Sequence, residues 1–511
     1  MEKSFARRCR NLGPFVWAVG FFGLLWMLDF PKPMVDDLMM CGAGLNLAGG
    51  GDFSNPLIVR QQMPGHFFFV YPPVHPHTVA GWVKVFGIST ASLTAFQLMT
   101  YLATAIATVM LLRRHQAPTW LEWVTPLGVS FAFLPIGLRP EPLAVALIMA
   151  GFALVDGYSK RKIACLIGFL LLGLGIATAP RTAPFGVVLL ALAIYGLWRD
   201  SDATGVQRWT LWAFALGGLL TAALIFLWLI DFQLGEFIAV FRFHAHHAVA
   251  GDKLMWLVRF LLTLGVTQRP ILVVLLVLAL WSLRHSVDDL ARIGLCLTCA
   301  LPCVALMGAL GCGTIWFAVL GVLLLTVSVV RHTAARSARI VLLSLVCAVL
   351  VVGNGKDLVS IVGIISGGIQ SDASNRGEVV ALRPTREHPL LIDAWVARYV
   401  FDYRLPPGCI EWTFSAPFPS SMEGVIVIRP GDIYLLGWYS VYVLTREGCL
   451  DLPTPKWVPL GLRRWSYEQQ PRRVYLIRAE DCKPQRPPPA PPTGRAIWRS
   501  LLTGESIRPI E

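Results

Sequence analysis

The chain of 511 residues is 55% hydrophobic and 15% charged, with a net charge of +13. Soluble domains carry about 25% charged residues, so this composition excludes an ordinary water-soluble enzyme, and it excludes the disordered, collagen-like and small disulfide-rich classes too. The basic excess belongs mainly to residues 1–354, which contain 25 Lys and Arg against 15 Asp and Glu. Because that part also carries the long apolar runs, we expect membrane lipids as partners and no nucleic acid.

From Pro14 to about Val352, the hydrophobic residues occur in runs close to the ~20 residues that a membrane-spanning helix requires. We therefore predict an all-α polytopic membrane domain over residues 1–354. Its eleven spans lie at about 14–30, 91–112, 118–137, 141–157, 163–179, 183–198, 209–230, 270–284, 293–310, 314–330 and 339–354. Residues 253–268 are either a surface helix or a further span.

The distribution of basic residues predicts the orientation of these spans. A cytoplasmic N-terminus places sixteen Lys and Arg of residues 1–354 on the cytoplasmic side and nine on the other, as the positive-inside rule requires. No small-residue cleavage site follows the first span, so we expect it to be retained. The prediction is a multi-pass protein of the bacterial cytoplasmic membrane, with its C-terminal domain outside the cytoplasm.

The first long outer loop, residues 31–89, begins with a pair of carboxylates. Asp36 and Asp37 follow the first span directly, and such a pair supplies a general base or a cation ligand. The alternative is a helix cap or simple solvated polarity. Further along, Leu38–Leu47 and Val74–Phe86 are short amphipathic pieces, which predict helices lying in the membrane interface.

Two short outer loops carry charges that the membrane disfavours. Arg139 and Glu141 lie between two apolar spans, where ionisable groups are costly and often functional; an Arg–Glu pair that stabilises the loop is the alternative. Arg181 lies in the next short outer loop, against the positive-inside pattern. A guanidinium fork suits phosphate oxygens, although snorkelling toward lipid headgroups would also explain it.

Histidines mark both long outer loops. The second loop, residues 231–269, carries His244, His246 and His247, whose spacing is poor for a helical ligand set; metal binding or proton transfer competes there with a structural role. In the first loop, His66, His75 and His77 flank Tyr71-Pro72-Pro73. We take Tyr71, His75 and His244 as candidates to line a site on this side of the membrane.

The remainder of the chain predicts a small α+β extracytoplasmic domain over 355–483, followed by a proline-rich linker and tail over 484–511. A helix-like stretch, Pro389–Phe401, precedes strand-like runs bounded by turn signals. These runs are Ile410–Phe414, Val425–Ile428, Tyr434–Leu444 and Arg473–Ile477. Cys409, Cys449 and Cys482 lie outside the cytoplasm, where one disulfide could form between partners that the sequence does not identify.

The order of these motifs resembles the GT-C superfamily of integral membrane glycosyltransferases. The chain has a span, Asp-Asp, interfacial helices, Tyr-Pro-Pro and a second span. Arg-Pro-Glu-Pro then follows in one outer loop and Pro-Arg-Thr-Ala-Pro in the next. The pattern looks closest to the branch of protein O-mannosyltransferases and lipid A aminoarabinose transferases. It covers residues 14–200 well and 200–354 in general layout, and the outer domain matches nothing recognisable.

The resemblance implies a role for each motif residue. Asp36 or Asp37 would be the catalytic base, Glu141 would support the site or a divalent cation, and Arg181, with Arg139, would face the donor phosphate. The sequence departs from the commonest pattern by having Asp-Asp where many members have Asp-Glu, which affects the choice of substrate. The implied donor is a polyprenyl-phosphate sugar, and the acceptor is a lipid, glycan or protein. The resemblance does not require a cofactor, and a divalent cation is the candidate if one is used.

Two other classes compete with this interpretation. A transporter or flippase of a lipid-linked intermediate would show inverted repeats and charges near mid-membrane. A membrane anchor for a domain that binds cell-wall material would leave the outer charged residues unexplained. Convergence of Asp36, Asp37, Glu141 and Arg181 on one outer cavity would favour the enzyme.

Overall fold

The structure is a computed structural model, and most of the residues it describes are helical. They are 2–28, 35–55, 71–133, 138–158, 161–199, 205–248, 270–283, 288–306, 314–332 and 340, with strand residues 390–393, 409–412, 423–428, 442–443, 473–477 and 483–484. The helices are α1 Glu2–Met27, α2 Val35–Ala48, α3 Val74–Phe86, α4 Thr90–Arg114, α5 Thr119–Phe133, α6 Pro140–Tyr158, α7 Lys162–Thr178, α8 Ala183–Arg199, α9 Gly205–Leu229, α10 Leu234–Ala248, α11 Pro270–Ser282, α12 Asp289–Leu306 and α13 Thr314–His332.

Within the described residues, three helical segments are long and apolar enough to cross a membrane: Ala91–Arg114, Pro140–Gly157 and Val206–Leu229. Ten of the eleven predicted spans contain a helix, because each apolar run is also free of helix-breaking turns. The eleventh, 339–354, lies outside the described residues except for residue 340. The coarse prediction of a helical membrane protein therefore agrees with the structure.

The two long loops of the predicted topology contain helices of their own. Both amphipathic pieces of the first loop are helical, as α2 and α3. In the second loop, where the sequence analysis made no helix prediction before residue 253, residues 234–248, including His244, form the helix α10. Glu236 in its first turn favours that helix through the helix dipole. The uncertain segment 253–268 lies outside the described residues.

Small residues let α6 and α7 pack closely. A Cβ added to Gly151 of α6 would lie 2.6 Å from the carbonyl oxygen of Gly168 in α7, so no larger residue fits without moving a backbone. Contacts of this kind hold membrane helices together where hydrophobic burial cannot. Deeper in the bundle, the rings of Phe185 and Phe317 stack at 4.5 Å and belong to the buried core.

Helix α6 defines two ends of the helical unit. Glu141 lies in its first turn and Asp156 in its last, so fifteen residues, or about 22 Å of helix, separate them. We call these the Glu141 end and the Asp156 end.

The Asp156 end has a network of charged contacts. Asp156 Oδ2 lies 3.1 Å from His115 Nε2, just after α4. Arg331 of α13 donates to the carbonyl oxygens of His115 and Gln116 and lies 3.6 Å from Asp288. Gln116 has a positive φ of 51°, which is typical of a tight turn, here the one between α4 and α5. Arg331 therefore donates hydrogen bonds to the carbonyl oxygens of that turn.

Six strands follow: β1 Leu390–Asp393, β2 Cys409–Trp412, β3 Glu423–Ile428, β4 Tyr442–Val443, β5 Arg473–Ile477 and β6 Lys483–Pro484. Four form a mixed sheet in the order β2-β1-β3-β5, in which β1 is parallel to β2 and β3, and β3 is antiparallel to β5. Strands β4 and β6 pair separately.

The strand predictions hold unevenly. Strand β5 has the predicted bounds. Strand β4 lies within the predicted run 434–444, whose other residues lie outside the described ones. The predicted helix over 389–401 is wrong at its start, because Leu390–Asp393 is a strand that pairs on both edges. Pro484, the first residue of the predicted linker, pairs in β6.

The described helices belong to one compact unit and the described strands to a second, which contains Ser366–Glu511. The predicted boundary at 354/355 and the linker beyond Pro484 lie outside the described residues, as do Cys449 and Cys482.

Candidate functional site

Glu141 and Arg181 meet at the Glu141 end. Arg181 Nη1 lies 3.7 Å from Glu141 Oε1, and the Glu141 side chain is only 3% exposed. A buried carboxylate is costly without a compensating charge, so this contact lowers the cost of placing Glu141 here. The Arg181 side chain stays 35% exposed, which leaves its guanidinium close to both the carboxylate and solvent.

Local sequence explains how the two loops present these groups. Pro140 opens α6, a position where a missing N–H costs nothing, and Glu141 follows in the first turn, where the helix dipole favours an anion. Arg181 lies in the turn between α7 and α8, in which the buried Thr182 hydroxyl donates to the Ala179 carbonyl oxygen at 3.0 Å. This turn is short enough to hold Arg181 beside the start of α6.

Helix α2 joins the same end through Cys41. The buried Cys41 thiol donates to the carbonyl oxygen of Leu138 at 3.5 Å, three residues before Glu141. On its other side, α2 packs tightly on α3, since a Cβ on Gly44 would lie 2.5 Å from the Pro76 carbonyl oxygen. Cys41 was not predicted from the sequence, although its position one helical turn after Asp37 places it on the same face of the helix.

Asp36 and Asp37 lie in the first turn of α2. Position 37 precedes Cys41 by four residues and therefore shares its helical face, the face that contacts Leu138. The side chains of both aspartates lie outside the described residues. The structure thus places the backbone of the acidic pair at the Glu141 end, and convergence of the four side chains stays a prediction.

His75 and Tyr71 lie at and just before the start of α3. His75 is 1% exposed, its ring lies 6.0 Å from that of Phe96, and within the described residues neither ring nitrogen has a hydrogen-bond partner. Burial lowers the pKa of His75 to about 3, so the ring is neutral at physiological pH. Tyr71 is half-buried. A neutral buried His75 packs as an apolar group does and is unsuited to proton transfer at neutral pH.

His77 is the more accessible histidine of α3. Its ring stacks on Phe53 at 5.1 Å, and its Nδ1 lies 2.8 Å from the Pro73 carbonyl oxygen. Burial lowers the pKa of His77, while that hydrogen bond and the carboxylate of Asp231 oppose the shift. The start of the second long loop therefore acts electrostatically on α3, a proximity that only the fold reveals.

The remaining candidates are less well defined. Arg139 is half-buried beside Glu141. His244 lies in α10, but its side chain is outside the described residues. Among the side chains that the structure describes, no three His, Cys, Asp or Glu residues are grouped closely enough to hold a metal ion. A divalent cation held by Asp36 or Asp37 stays a prediction.

Comparison with known proteins found no match, whether among protein-family models, curated proteins or solved structures. Inference about function therefore depends on the residues and contacts of this chain.

Proposed function

We propose that this protein is a membrane glycosyltransferase that moves a sugar from a polyprenyl-phosphate donor to an acceptor on the outer face of the bacterial cytoplasmic membrane. The observation that carries the proposal is the Glu141–Arg181 contact, which holds a partly accessible arginine at one end of a bundle of apolar helices. A lipid phosphate lies at that level of a membrane, and an arginine fork binds phosphate oxygens well.

The proposed reaction uses the acidic pair as well. Asp36 or Asp37 takes the proton of an acceptor hydroxyl, whose oxygen attacks the anomeric carbon of the sugar. The bond from that carbon to the phosphate oxygen breaks, with inversion, and the lipid phosphate leaves with the electron pair. Arg181, with Arg139 nearby, stabilises the charge on the leaving phosphate, and Glu141 fixes the position of Arg181.

Positions of charge favour this enzyme over a transporter or flippase, the second candidate. In the three candidate spans the ionisable residues lie near the ends, as Glu141 and Asp156 do in α6. Transporters of charged intermediates place such groups near mid-membrane.

The proposal includes the full topology: eleven spans, a cytoplasmic N-terminus and an extracytoplasmic α+β domain. Reporter fusions after Glu511 test it. A reporter that works only outside the cytoplasm should be active and one that works only inside should be silent; the opposite pattern would refute the orientation.

The activity is tested with the purified full chain and a panel of radiolabelled polyprenyl-phosphate sugars. Sugar transfer from at least one donor supports the proposal, provided that Arg181→Ala reduces it and Arg242→Ala does not. Arg242 is a suitable matched control because it is an exposed arginine of the second outer loop. Donor binding without turnover, unchanged by Asp36→Asn and Asp37→Asn, would favour the transporter instead.

A further inference from the structure

A second polar site lies at the opposite end of α6 from Glu141. A cavity of about 420 Å³ opens between the C-terminal ends of α4, α6 and α8 and the first turn of α12. Six of its lining residues have acidic or basic side chains: Arg114, His115, Asp156, Arg199, Asp289 and Arg292. Four helices thus direct charged groups into one space.

Positive charge is in excess in this cavity. Asp289 Oδ1 lies 2.8 Å from Arg292 and 3.9 Å from Arg199, so two arginines share one carboxylate. Asp156 is engaged by His115 at 3.1 Å. Among the residues that the structure describes, no carboxylate lies within ion-pair distance of Arg114. Among the described residues that line the cavity, three guanidinium groups therefore face two carboxylates, and one anion would balance them.

The cavity is accessible from outside the bundle. The side chains of Arg199 and Asp289 are 61% and 62% exposed, so the pair at its mouth is solvated. Tyr195 also lines it and lies under the guanidinium of Arg292, at 5.7 Å from the ring centroid. A group entering from the surface would meet the arginines first.

Exposed aromatic residues lie where α8 ends and α9 begins, and Tyr195 among them lines the cavity. Trp198 is 67% exposed, Trp209 is 78% exposed and Tyr195 is 40% exposed, all near the ends of the apolar helices α8 and α9. Tryptophan and tyrosine gather where a membrane helix meets the headgroup region. The end of α8 that lines the opening leads into α9, which is long and apolar enough to cross a membrane. The opening lies at the level of lipid phosphates when α9 spans the bilayer.

Isolated surface arginines at helix C-termini are common, since the helix dipole and the positive-inside bias both favour them. Those effects do not explain a cavity, nor an arginine from α12 that joins the two from α4 and α8. We propose that this cavity binds a phosphate group, with Arg114, Arg199 and Arg292 as its ligands. Basic pockets between membrane helices bind anionic headgroups in this way. The site is separate from the proposed catalytic end and does not depend on glycosyl transfer.

The phosphate could belong to an anionic phospholipid or to a soluble molecule, and two binding assays separate these sources. The purified full chain in neutral detergent is equilibrated with radiolabelled short-chain phosphatidylglycerol in one assay and with radiolabelled inorganic phosphate in the other. Binding is compared with that of the double variant Arg114→Gln/Arg199→Gln. Both of its side chains are exposed, so the exchange should leave the fold intact, as elution volume and circular dichroism would verify.

Arg161→Gln is the matched control, because Arg161 is exposed, precedes α7 at the same end and does not line the cavity. Saturable binding that the double variant weakens at least tenfold, and the control does not, supports the site. Such binding in the first assay identifies a lipid, and in the second a soluble phosphate. If neither ligand distinguishes the double variant from the control, the proposal is overturned.

A conservative exchange adds a second test. Arg292→Lys keeps the charge and loses the planar fork, so affinity should fall part of the way, between wild type and the double variant. Equal binding by Arg292→Lys and Arg292→Gln would argue against a charged ligand at this position.

Discussion

At the Glu141 end, the Glu141 carboxylate is almost wholly buried and lies 3.7 Å from Arg181. At the Asp156 end, Asp288 and Asp289 are partly or largely exposed and contact Arg199, Arg292 and Arg331. Water screens the second group of charges more than the first, where Glu141 is buried and only Arg181 is partly exposed. Loss of an ion-pair partner therefore has a different effect on stability at the two ends. It is costly where Glu141 is buried and has almost no effect where solvent can replace the partner.

The largest expected effect is a loss of sugar transfer, and it tests whether catalysis takes place only at the Glu141 end. Replacing the proposed catalytic base, Asp36 or Asp37, by Asn keeps the size and removes the proton acceptor, so sugar transfer should fall ~10²–10⁴-fold. We favour Asp36 slightly. Transfer and donor binding are measured on purified Asp36→Asn and Asp37→Asn, with Asp288→Asn as the control from the Asp156 end. Near wild-type turnover in both variants would rule out the catalytic assignment.

Arg181→Ala should reduce donor use about tenfold to a hundredfold, the effect of losing one charged hydrogen bond. The structure adds a second consequence, because the variant also removes the arginine beside a buried carboxylate. Its unfolding free energy should fall by an amount between the ~1 kcal/mol of exposed pairs and the ~3–5 kcal/mol of buried ones.

The double variant Arg181→Ala/Glu141→Gln separates these two effects. It removes the buried charge, so stability should recover while donor affinity stays low. Recovery of both properties together would mean that Arg181 acts only on folding and does not contact the donor.

Acid should destabilise α3, which carries His75 and packs on α2 at the Glu141 end. The pKa of His75 is about 3 in the folded protein and about 6.5 when unfolded, so below pH 6.5 the unfolded state binds a proton that the folded state does not. Stability attributable to this residue is complete above pH 6.5 and falls between pH 6.5 and 3, by at most ~1.4 kcal/mol per pH unit.

Thermal melting of the purified protein at pH 7 and pH 5 measures this effect, with His75→Phe as the comparison. Phenylalanine fits a site already in contact with the ring of Phe96, so the variant should lose less stability between the two pH values. An equal loss in wild type and variant would show that His75 is not the group that titrates.

The smallest expected effect concerns the Asp156 end. Asp288→Asn keeps the side-chain oxygen that accepts the Ala291 N–H at 2.7 Å and removes the charge facing Arg331. Because both groups are partly solvated, the unfolding free energy in a chemical denaturation series should change by no more than about 1 kcal/mol. A loss as large as that of Arg181→Ala would erase the contrast between the two ends.

Local signals predicted most of the helical part. Hydropathy predicted the positions of α4 and α9 to within a few residues, since a long apolar run is recognisable without knowing which residues pack against it. Amphipathic spacing similarly located α2 and α3. No prediction was made for helix α10, although Glu236 and the apolar residues after it are typical of a helix.

Features that need distant partners could not be read from the sequence. The pairing of Glu141 with Arg181 joins residues 40 positions apart, whereas the sequence alone suggested Arg139 as the nearest partner. Strand β1 looked helical because its neighbours β2 and β3, which make Leu390–Asp393 a strand, lie further along the chain. The charges of Asp36 and Asp37 were visible in the sequence, but their roles depend on what converges with them.

Arg331 secures the turn between α4 and α5 from 216 residues away, counted from His115. During synthesis at ~5–20 residues per second, that hairpin emerges from the ribosome roughly 10–40 seconds before the arginine that completes it. Until then, the carbonyl oxygens of His115 and Gln116 accept hydrogen bonds only from water or from the insertion machinery. A chain that terminated before α13 would therefore contain the α4–α5 hairpin without the hydrogen bonds from Arg331, a form that quality-control proteases could recognise.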